Sequence, residues 1–384
     1  MEYSTTTDAL EGLAAGLAAT ARPLAEARTL PRPVYFSPAV HALEQRAIFG
    51  RMWLCAGREE YLDGPGSYLT QPIGDERVLV IRGEDGALRA FFNVCRHRGA
   101  RLIEEPCGRL RGALSCPYHA WTYALDGRLL RAPRAEPGFP SEEFPLVQVN
   151  LETRDGFVFV NLDPGAPRLA ECHADLPDLA RYRLGELRRA SRIEYTVEAN
   201  WKVIAENYSE CYHCPLVHPQ LDRLSDLSRG GFQTGRSFGG GPMVLRDGAE
   251  TMSTTGKTTL ASIAGLAGPD LREINYYLVY PNLMLGMHPQ YVLTHQAWSL
   301  APGRTRVVCE WLFPPETLTA PGFDPAAMVD FWDLTNRQDW ALCERVQRGA
   351  ASAGCLPGPY HPSERCVHAF DKWYAEAIAP HVPA

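Results

Sequence analysis

The sequence predicts an α+β protein: a small all-β domain, then a larger domain that sets long antiparallel strands against helices. Three observations carry this. Between residues 48 and 165 the apolar residues come in short runs of period two, broken by Gly, Asp and Pro, the pattern of half-buried strands and tight turns. Between 274 and 314 the strand-like runs lengthen, as in "INYYLVYPNLMLGMHPQYVLTHQAWSLAP" and "TRVVCEWLFPP". From Asp324 to Ala353 the spacing turns helical, with Phe331, Leu334, Leu342 and Val346 as candidate core positions.

Taken from the front, residues 1–47 are expected to form a helical segment that packs on the larger domain. Its stretch "TTTDALEGLAAGLAATARPLAEARTL" is Ala-rich, holds Asp8 and Glu11 and lacks a basic start, which argues against a secretory or transit peptide. The β domain spans 48–165, and "RGEDGALRA" and "ALDGRLL" within it read as hairpins with Asp-Gly turns. The larger domain takes 166–384. There "LPDLARYRLGELRRASR" looks helical and "IEYTVEANWKVIAENYSECYHC" runs from strand into helix. The stretch 228–258, rich in Gly, Ser and Thr, reads as a long mobile loop or lid. Its "GKT" is no phosphate loop, because Thr251 stands where that motif needs Gly. No G-x-G-x-x-G follows a strand, so a nicotinamide or flavin domain is not evident.

Composition narrows the class. A chain of 384 residues can hold two domains with real cores, and 45% apolar with 22% charged residues is ordinary for a globular protein. A net charge of -7 argues against nucleic acid as a partner, since phosphate binding needs clustered cations. No apolar run reaches the length of a membrane span, so the expected location is the cytoplasm. The 11 cysteines do not suggest a disulfide framework. Cys55, Cys309 and Cys343 read as buried packing thiols.

Two constellations carry chemistry. In the β domain Cys95-x-His97 is followed, after residues 98–115, by Cys116-x2-His119. Two loops that each offer one thiolate and one imidazole can hold a metal centre between their tips. Zinc with two Cys and two His is one reading. One of each per loop suits better a [2Fe-2S] cluster with two Cys on one iron and two His on the other. The second constellation is "YSECYHCPLVHPQL", 208–221. In a regular helix the His218 ring would sit about 140° around from His213. With Pro215 between them and Pro219 after, a kinked or bulged helix end is expected to bring the two imidazoles together.

"CRHRGARL" and "CPYHAWTYALDG" resemble the cluster-binding motifs of the Rieske non-haem iron oxygenases, and "ENYSECYHCPLVH" resembles their iron motif, Asp/Glu-x2-His-x4-His. The likeness runs from "VYFSPAVHALEQRAIFGRMWLCAGR" to "NRQDWALCERVQRG" and is to the large (alpha) oxygenase subunit. It implies a Rieske domain with Cys95, His97, Cys116 and His119 on the cluster, and a helix-grip, START-like catalytic domain. His213 and His218 would bind a mononuclear Fe(II), with a carboxylate from the C-terminal helix as third ligand. There "QDWALCERVQ" offers Asp339, with Asp333 and Glu344 nearby on the same expected helix. Two His and one carboxylate leave positions open for O₂ and substrate.

The resemblance further implies that Glu210 bridges an iron ligand and a cluster ligand across a subunit boundary, meeting His119 of a neighbour in a homotrimer. Asn207 would help to position the iron site. Electrons would come from a separate flavin and iron-sulfur NAD(P)H reductase, directly or through a ferredoxin. Glu at 210 and "YHCPLVHPQL" look most like the branch with glycine betaine, proline betaine and carnitine monooxygenases, which hydroxylate an N-methyl group and release formaldehyde. A cationic substrate wants an aromatic box, for which Tyr276, Tyr277, Tyr280 and Trp298 are candidates. Two other readings stand beside it: an aromatic-ring dioxygenase, often with a small β partner chain, and a non-enzymatic electron-transfer protein. Cys211 and Cys214 are expected to pack rather than do redox work. His41, His173, His361 and His381 have no evident partner, and His288 and His295 are expected on opposite strand faces.

Overall fold

The computed structural model describes residues 12–382. Residues 1–11, with the Asp8 and Glu11 of the N-terminal reading, lie outside the described residues, as do 383 and 384. The chain divides into two compact units: Phe49–Leu169, and the segments on either side of it. The β unit closes at Leu169 rather than 165 for a local reason. Trp53 Nε1 donates to Pro167 O at 2.9 Å, and both the Arg168 guanidinium and the Leu169 amide reach Glu152.

The β unit is built on a seven-stranded antiparallel sheet. Its order is Leu54–Arg58, Phe157–Asn161, Gln148–Arg154, Leu88–Phe92, Glu76–Arg82, Ser67–Ile73 and Cys107–Arg109. A second sheet has three short strands, Ala113–Ser115, Thr122–Ala124 and Leu129–Arg131. Both Asp-Gly stretches make the hairpins expected of them. Gly127 is required at its turn: its φ is +90° and a Cβ would come within 2.5 Å of the Phe91 ring. Leu79, Ile81, Phe91, Leu114 and Tyr123 form the core, and Cys95 and Cys116 belong to it.

The larger unit centres on an eight-stranded antiparallel sheet. Its path runs Arg188–Val197, Arg304–Phe313, Val292–Ala301, Leu283–Met287, Glu273–Val279, Phe238–Leu245 and Ser225–Asp226, with Gln233–Thr234 beside Phe238–Leu245. The helix Ala326–Ala350 lies against the strand Arg188–Val197 and the helix Trp201–Tyr208. Its buried stripe is Met328, Phe331, Trp332, Thr335, Asn336 and Cys343, at helical spacing. Leu334 and Val346, expected in the core, are 49% and 46% exposed. The helix is rotated relative to the sequence expectation because Thr335, Asn336 and Asp339 turn inward to line a cavity. The front of the chain joins this unit: Leu13–Thr20 packs on Arg365–Ile378, and Thr29 N donates to Gly358 O at 2.9 Å.

The stretch 228–258 is not one long loop. Residues 238–245 form a full sheet strand, paired along its length with Glu273–Val279. Its glycines serve close approach: a Cβ on Gly240, at φ +146°, would lie 2.0 Å from Tyr276 O. The lysine of "GKT" forms an exposed ion pair with Glu250.

Candidate metal centres and substrate cavity

In the β unit the two ligand loops are each pinned by backbone bonds. Cys95 N donates to Ala100 O and Gly99 N to Cys95 O; Cys116 N donates to Trp121 O and Ala120 N to Cys116 O. Asn93, fully buried, braces the first loop by bonds to both polar groups of Ile103. The thiols face inward, 2% and 4% exposed, while His97 and His119 stand at the exposed tips. The two imidazole rings meet edge-on at 4.7 Å, and His97 stacks on Trp121 at 4.9 Å. Burial pushes the Cys116 thiol up, while the amides of Tyr118 and His119 aim at its sulfur and pull the other way. Tyr123 Oη lies 3.3 Å from Cys95 Sγ. Paired inner thiols, paired outer imidazoles and N–H groups aimed at sulfur fit a [2Fe-2S] group of the two-Cys, two-His kind.

In the larger unit the helix Trp201–Tyr208 ends on the first residue of the motif. The expected kinked or bulged helix end takes the form of two one-turn helices, Cys214–Val217 and Pro219–Asp222, broken at His218, whose φ and ψ are -125° and 65°. Pro219 sits at the start of the second, where its missing N–H costs nothing. The break swings the rings to a centroid separation of 5.2 Å.

Each ring has its Nδ1 held outward. His213 Nδ1 bonds the Glu210 carboxylate, and His218 Nδ1 lies 2.8 Å from Gln338 Oε1. Both Nε2 atoms then point at Asp339 Oδ1, at 3.3 and 2.8 Å. Three ligand atoms so converged, with both imidazoles oriented from behind, fit one metal ion. Burial works against a charged His213, but the Asp339 and Glu210 carboxylates outweigh it and raise its pKa to about 9. Burial would raise Asp339, and the two histidines hold it low instead. Asp333 and Glu344 lie elsewhere: Asp333 binds Tyr195 and Arg337, and Glu344 accepts from Glu198 N. Cys214 also stands near the two histidines, but the structure joins it to Cys211 in a disulfide, which corrects the packing expectation for this pair.

The three converging residues open onto a cavity that Asn207 and Glu210 also line. Tyr276 is in its wall, with Tyr208, Trp332 and Trp340. Tyr280 and Trp298 are not, which corrects two sequence expectations. Tyr280 follows the end of its strand, four residues along from Tyr276, and packs on Phe370 and Trp373. On Val292–Ala301, Leu293 and His295 face the cavity, so Trp298 falls on the opposite face by strand alternation. Tyr277 packs on Phe238.

The histidine expectations also change. The chain reverses between Met287 and Val292, so strand parity does not carry across: His288 packs on Tyr276, and His295 lines the cavity that Tyr276 also lines. His288 contacts the Tyr276, Tyr291 and Trp332 rings, and burial lowers its pKa to about 3. His41 bonds Ser299 and Gln45, and His361 stacks on Tyr212. Sequence reasoning missed Gln338, which adjoins Asp339 in "NRQDW", and Gln220, whose Nε2 donates to Gln338 at 2.7 Å. It also missed the aromatic wall from Tyr208, Trp332 and Trp340.

Comparison with known proteins agrees with this geometry. A family model described as ring hydroxylating alpha subunit (catalytic domain) matches residues 184–380, and one described as Rieske [2Fe-2S] domain matches 52–150. The glycine betaine monooxygenase oxygenase subunit of Chromohalobacter salexigens is 33% identical over 393 residues, covering 93% of this chain and 87% of that one. The carnitine monooxygenase oxygenase subunit of Acinetobacter pittii is 39% identical over 200 residues, 50% of this chain and 53% of that one. A solved quaternary ammonium Rieske monooxygenase superposes with a TM-score of 0.79 at 26% identity, covering 97% of this chain and 98% of that one. Naphthalene 1,2-dioxygenase from Rhodococcus sp. shares the fold, with a TM-score of 0.77 at 20% identity over 97% and 99% of the two chains. The chain therefore belongs to the Rieske non-haem iron oxygenases, among the monooxygenase oxygenase subunits that carry a [2Fe-2S] cluster and a mononuclear iron and use O₂ with NAD(P)H electrons from a reductase.

Proposed function

We propose that this oxygenase subunit hydroxylates an N-methyl group of a small quaternary or methylated amine such as a betaine, giving a carbinol that collapses to formaldehyde and the demethylated amine. The observation that carries this is the wall around the three converging residues: Tyr208, Tyr276, Trp332 and Trp340 line it, and no Lys or Arg does among the described residues. Aromatic faces attract an alkylammonium through their quadrupoles, and a lysine or arginine beside them would repel it. The relatives named for glycine betaine and carnitine point the same way. The ring-dioxygenase reading has the ring hydroxylating family model and the shared fold behind it, whereas the relatives above that match by sequence are named for alkylammonium substrates.

His213 and His218, through Nε2, and Asp339, through Oδ1, would hold the iron; Cys95, His97, Cys116 and His119 would hold the cluster. When bound, the iron supplies O₂ activation and the cluster an electron. The chain's own residues do the positioning. Glu210 keeps a proton on Nδ1 of His213, and Gln338, steadied by Gln220, receives the Nδ1 proton of His218, so that each Nε2 presents its lone pair inward. Asn207 lines the cavity beside Glu210. The aromatic wall orients the cationic head towards the metal and keeps bulk water off it.

The active assembly would be a homotrimer in which His119 of the partner subunit meets Glu210. Exposed apolar side chains flank both ends of that contact: Tyr118 beside His119, and Tyr212 and Leu216 around His213, at 59%, 62% and 91% exposure. The reductase partner would be a flavin and iron-sulfur protein, acting directly or through a ferredoxin. Among the described residues no helix is long and apolar enough to cross a membrane, and the proposed location is the cytoplasm, where a reductase would draw on NAD(P)H. The test is turnover with reductase, NADH and ¹⁸O₂ on a panel of methylated amines. Substrate-dependent formaldehyde in step with NADH consumption supports the reading, and a cis-diol from an aromatic with no formaldehyde from any amine refutes it.

A further inference from the structure

Two carboxyls inside the larger unit are hydrogen-bonded to each other: Glu206 on the helix Trp201–Tyr208 and Asp371 on the helix Arg365–Ile378. Two ionised carboxylates offer only acceptors, so one member of the pair must hold a proton. Nothing else supplies it. Glu206 Oε1 accepts from Tyr35 Oη at 2.7 Å and Asp371 Oδ2 from Tyr360 Oη at 2.6 Å, while Asp371 Oδ1 has no other partner among the described residues.

Lys202 is the cation that faces the pair, and it is committed elsewhere. Its ammonium donates to Glu44 Oε1, which also accepts from Tyr374 Oη, and Trp201 Nε1 donates to Glu44 Oε2. Lys202 and Glu44 are both fully buried, so that ion pair balances its own charge and leaves Glu206 and Asp371 without a counter-ion. The other ionisable neighbours, Glu364, Tyr360, Tyr374 and the Cys343 thiol, bring no positive charge. Burial raises Glu206 to about 7, and burial with the neighbouring Glu206 raises Asp371.

Both carboxyls line a cavity of about 220 Å³ that is partly open to solvent, with the half-buried Glu364 on its wall. A polar space of that size holds several water molecules. Asn207 and Glu210 line it as well, and the same two residues line the catalytic cavity, so they form the partition between the two. Hydroxylation consumes O₂, two electrons and two protons together with the C–H bond, and yields the alcohol and one water. The electrons arrive through the cluster. The protons need a route of their own, because the aromatic wall keeps bulk water off the catalytic cavity.

We infer that Glu206 and Asp371 are a proton relay for oxygen reduction: the pair passes its shared proton through the water of this cavity to the Asn207 and Glu210 edge of the catalytic cavity, and takes another from solvent past Glu364. Each cycle leaves the pair as it began, and the electrons are those the reductase already supplies. The relay serves the oxygen side of the reaction and is the same whichever compound is hydroxylated.

The first test needs no turnover. Infrared difference spectra of the full chain, titrated in H₂O and in D₂O, are expected to show the C=O band of a protonated carboxyl that shifts in D₂O and fades as pH rises through about 7. Glu206→Gln is expected to remove it. No such band in wild type, or a band that survives in the variant, overturns the shared proton. Reduced, iron-loaded wild type, Glu206→Gln and Glu206→Asp are then mixed with O₂ and the compound that the substrate panel shows to be turned over, amine or arene. With iron and sulfide contents near wild type, Glu206→Gln is expected to form product roughly tenfold to a hundredfold more slowly. Wild type is expected to slow from about pH 7 to about pH 9 as the pair loses its proton, while Glu206→Gln is slow throughout. Glu206→Asp keeps a carboxyl and is expected to recover part of the rate together with its pH dependence, which a packing role would not give. Equal rates in wild type and Glu206→Gln, or the same fall with pH in both, overturns the relay. If Glu206→Gln loses its Rieske spectrum, Asp371→Asn carries the same comparison. If no compound is turned over, the comparison is made on the peroxide formed when reduced protein meets O₂, a reaction that also takes two electrons and two protons.

Discussion

Glu210 and His213 are bound side chain to side chain, and the same carboxylate accepts the backbone N–H of His213 at 3.3 Å. One acid therefore fixes both the backbone and the ring of a residue whose Nε2 faces Asp339. Glu210→Gln keeps the shape and removes the charge. Iron and sulfide contents are expected to stay near wild type, while the single-turnover rate of cluster oxidation falls roughly tenfold to a hundredfold. Stopped-flow absorbance of the reduced cluster measures it, and an unchanged rate removes Glu210 from the electron path.

Iron loading should depend on pH with a definite sign. In the metal-free protein the His213 pKa is raised to about 9, because the Asp339 and Glu210 carboxylates overcome the effect of burial. The imidazole is then protonated at neutral pH and must lose a proton to bind iron. Affinity for Fe(II), measured anaerobically against a competing chelator, is expected to rise about tenfold per pH unit from pH 6.5 towards 9 and then level off. A flat profile contradicts the picture of His213 held between two carboxylates.

Behind the site, Glu206 accepts from Tyr35 Oη at 2.7 Å and adjoins Asp371, which accepts from Tyr360 Oη at 2.6 Å. Burial raises Glu206 to about 7, and burial with the neighbouring Glu206 raises Asp371 as well. A carboxyl whose folded pKa lies above its unfolded one contributes stability at low pH that is lost as pH rises through the folded value. Glu206→Gln cannot ionise and still accepts from Tyr35. Its melting temperature is expected to gain on wild type as pH rises from 5 to 8, and a constant difference across that range would argue against the shift.

Tyr276 offers its ring to the cavity. Tyr276→Leu is expected to raise KM for a trimethylammonium substrate roughly threefold to thirtyfold with kcat less affected, the scale of a desolvated cation–π contact. Tyr280→Leu, behind the wall, should leave KM unchanged. Steady-state formaldehyde assays separate the two, and equal effects would deny the aromatic wall its role.

What was legible in the sequence is what chemistry confines to short segments. Cys95, His97, Cys116 and His119 lie on two tight loops, so spacing alone brings them together. His213, His218 and Glu210 are likewise local. Asp339 is distant, and only its likeness to a family motif picked it from Asp333 and Glu344, since one helical turn changes the face. The cavity wall was harder. Tyr276 and Tyr280 share strand parity, yet the strand ends between them, and the reversal between Met287 and Val292 breaks the parity that links His288 to His295. Leu334 and Val346 follow a helical period but lie on the wrong face, because inward-turned Thr335, Asn336 and Asp339 set the rotation of that helix. Hydrophobic periodicity cannot register a face chosen by a polar site.

The most direct test of the two-centre account is metal and acid-labile sulfide analysis of His213→Ala beside wild type, with the low-temperature EPR spectrum of each after reduction. Wild type is expected to contain about three irons and two sulfides per chain, and the variant about two of each with its Rieske signal intact and turnover abolished. A variant that keeps its third iron, or keeps turning over, would contradict the assignment of His213 as a ligand of the catalytic iron.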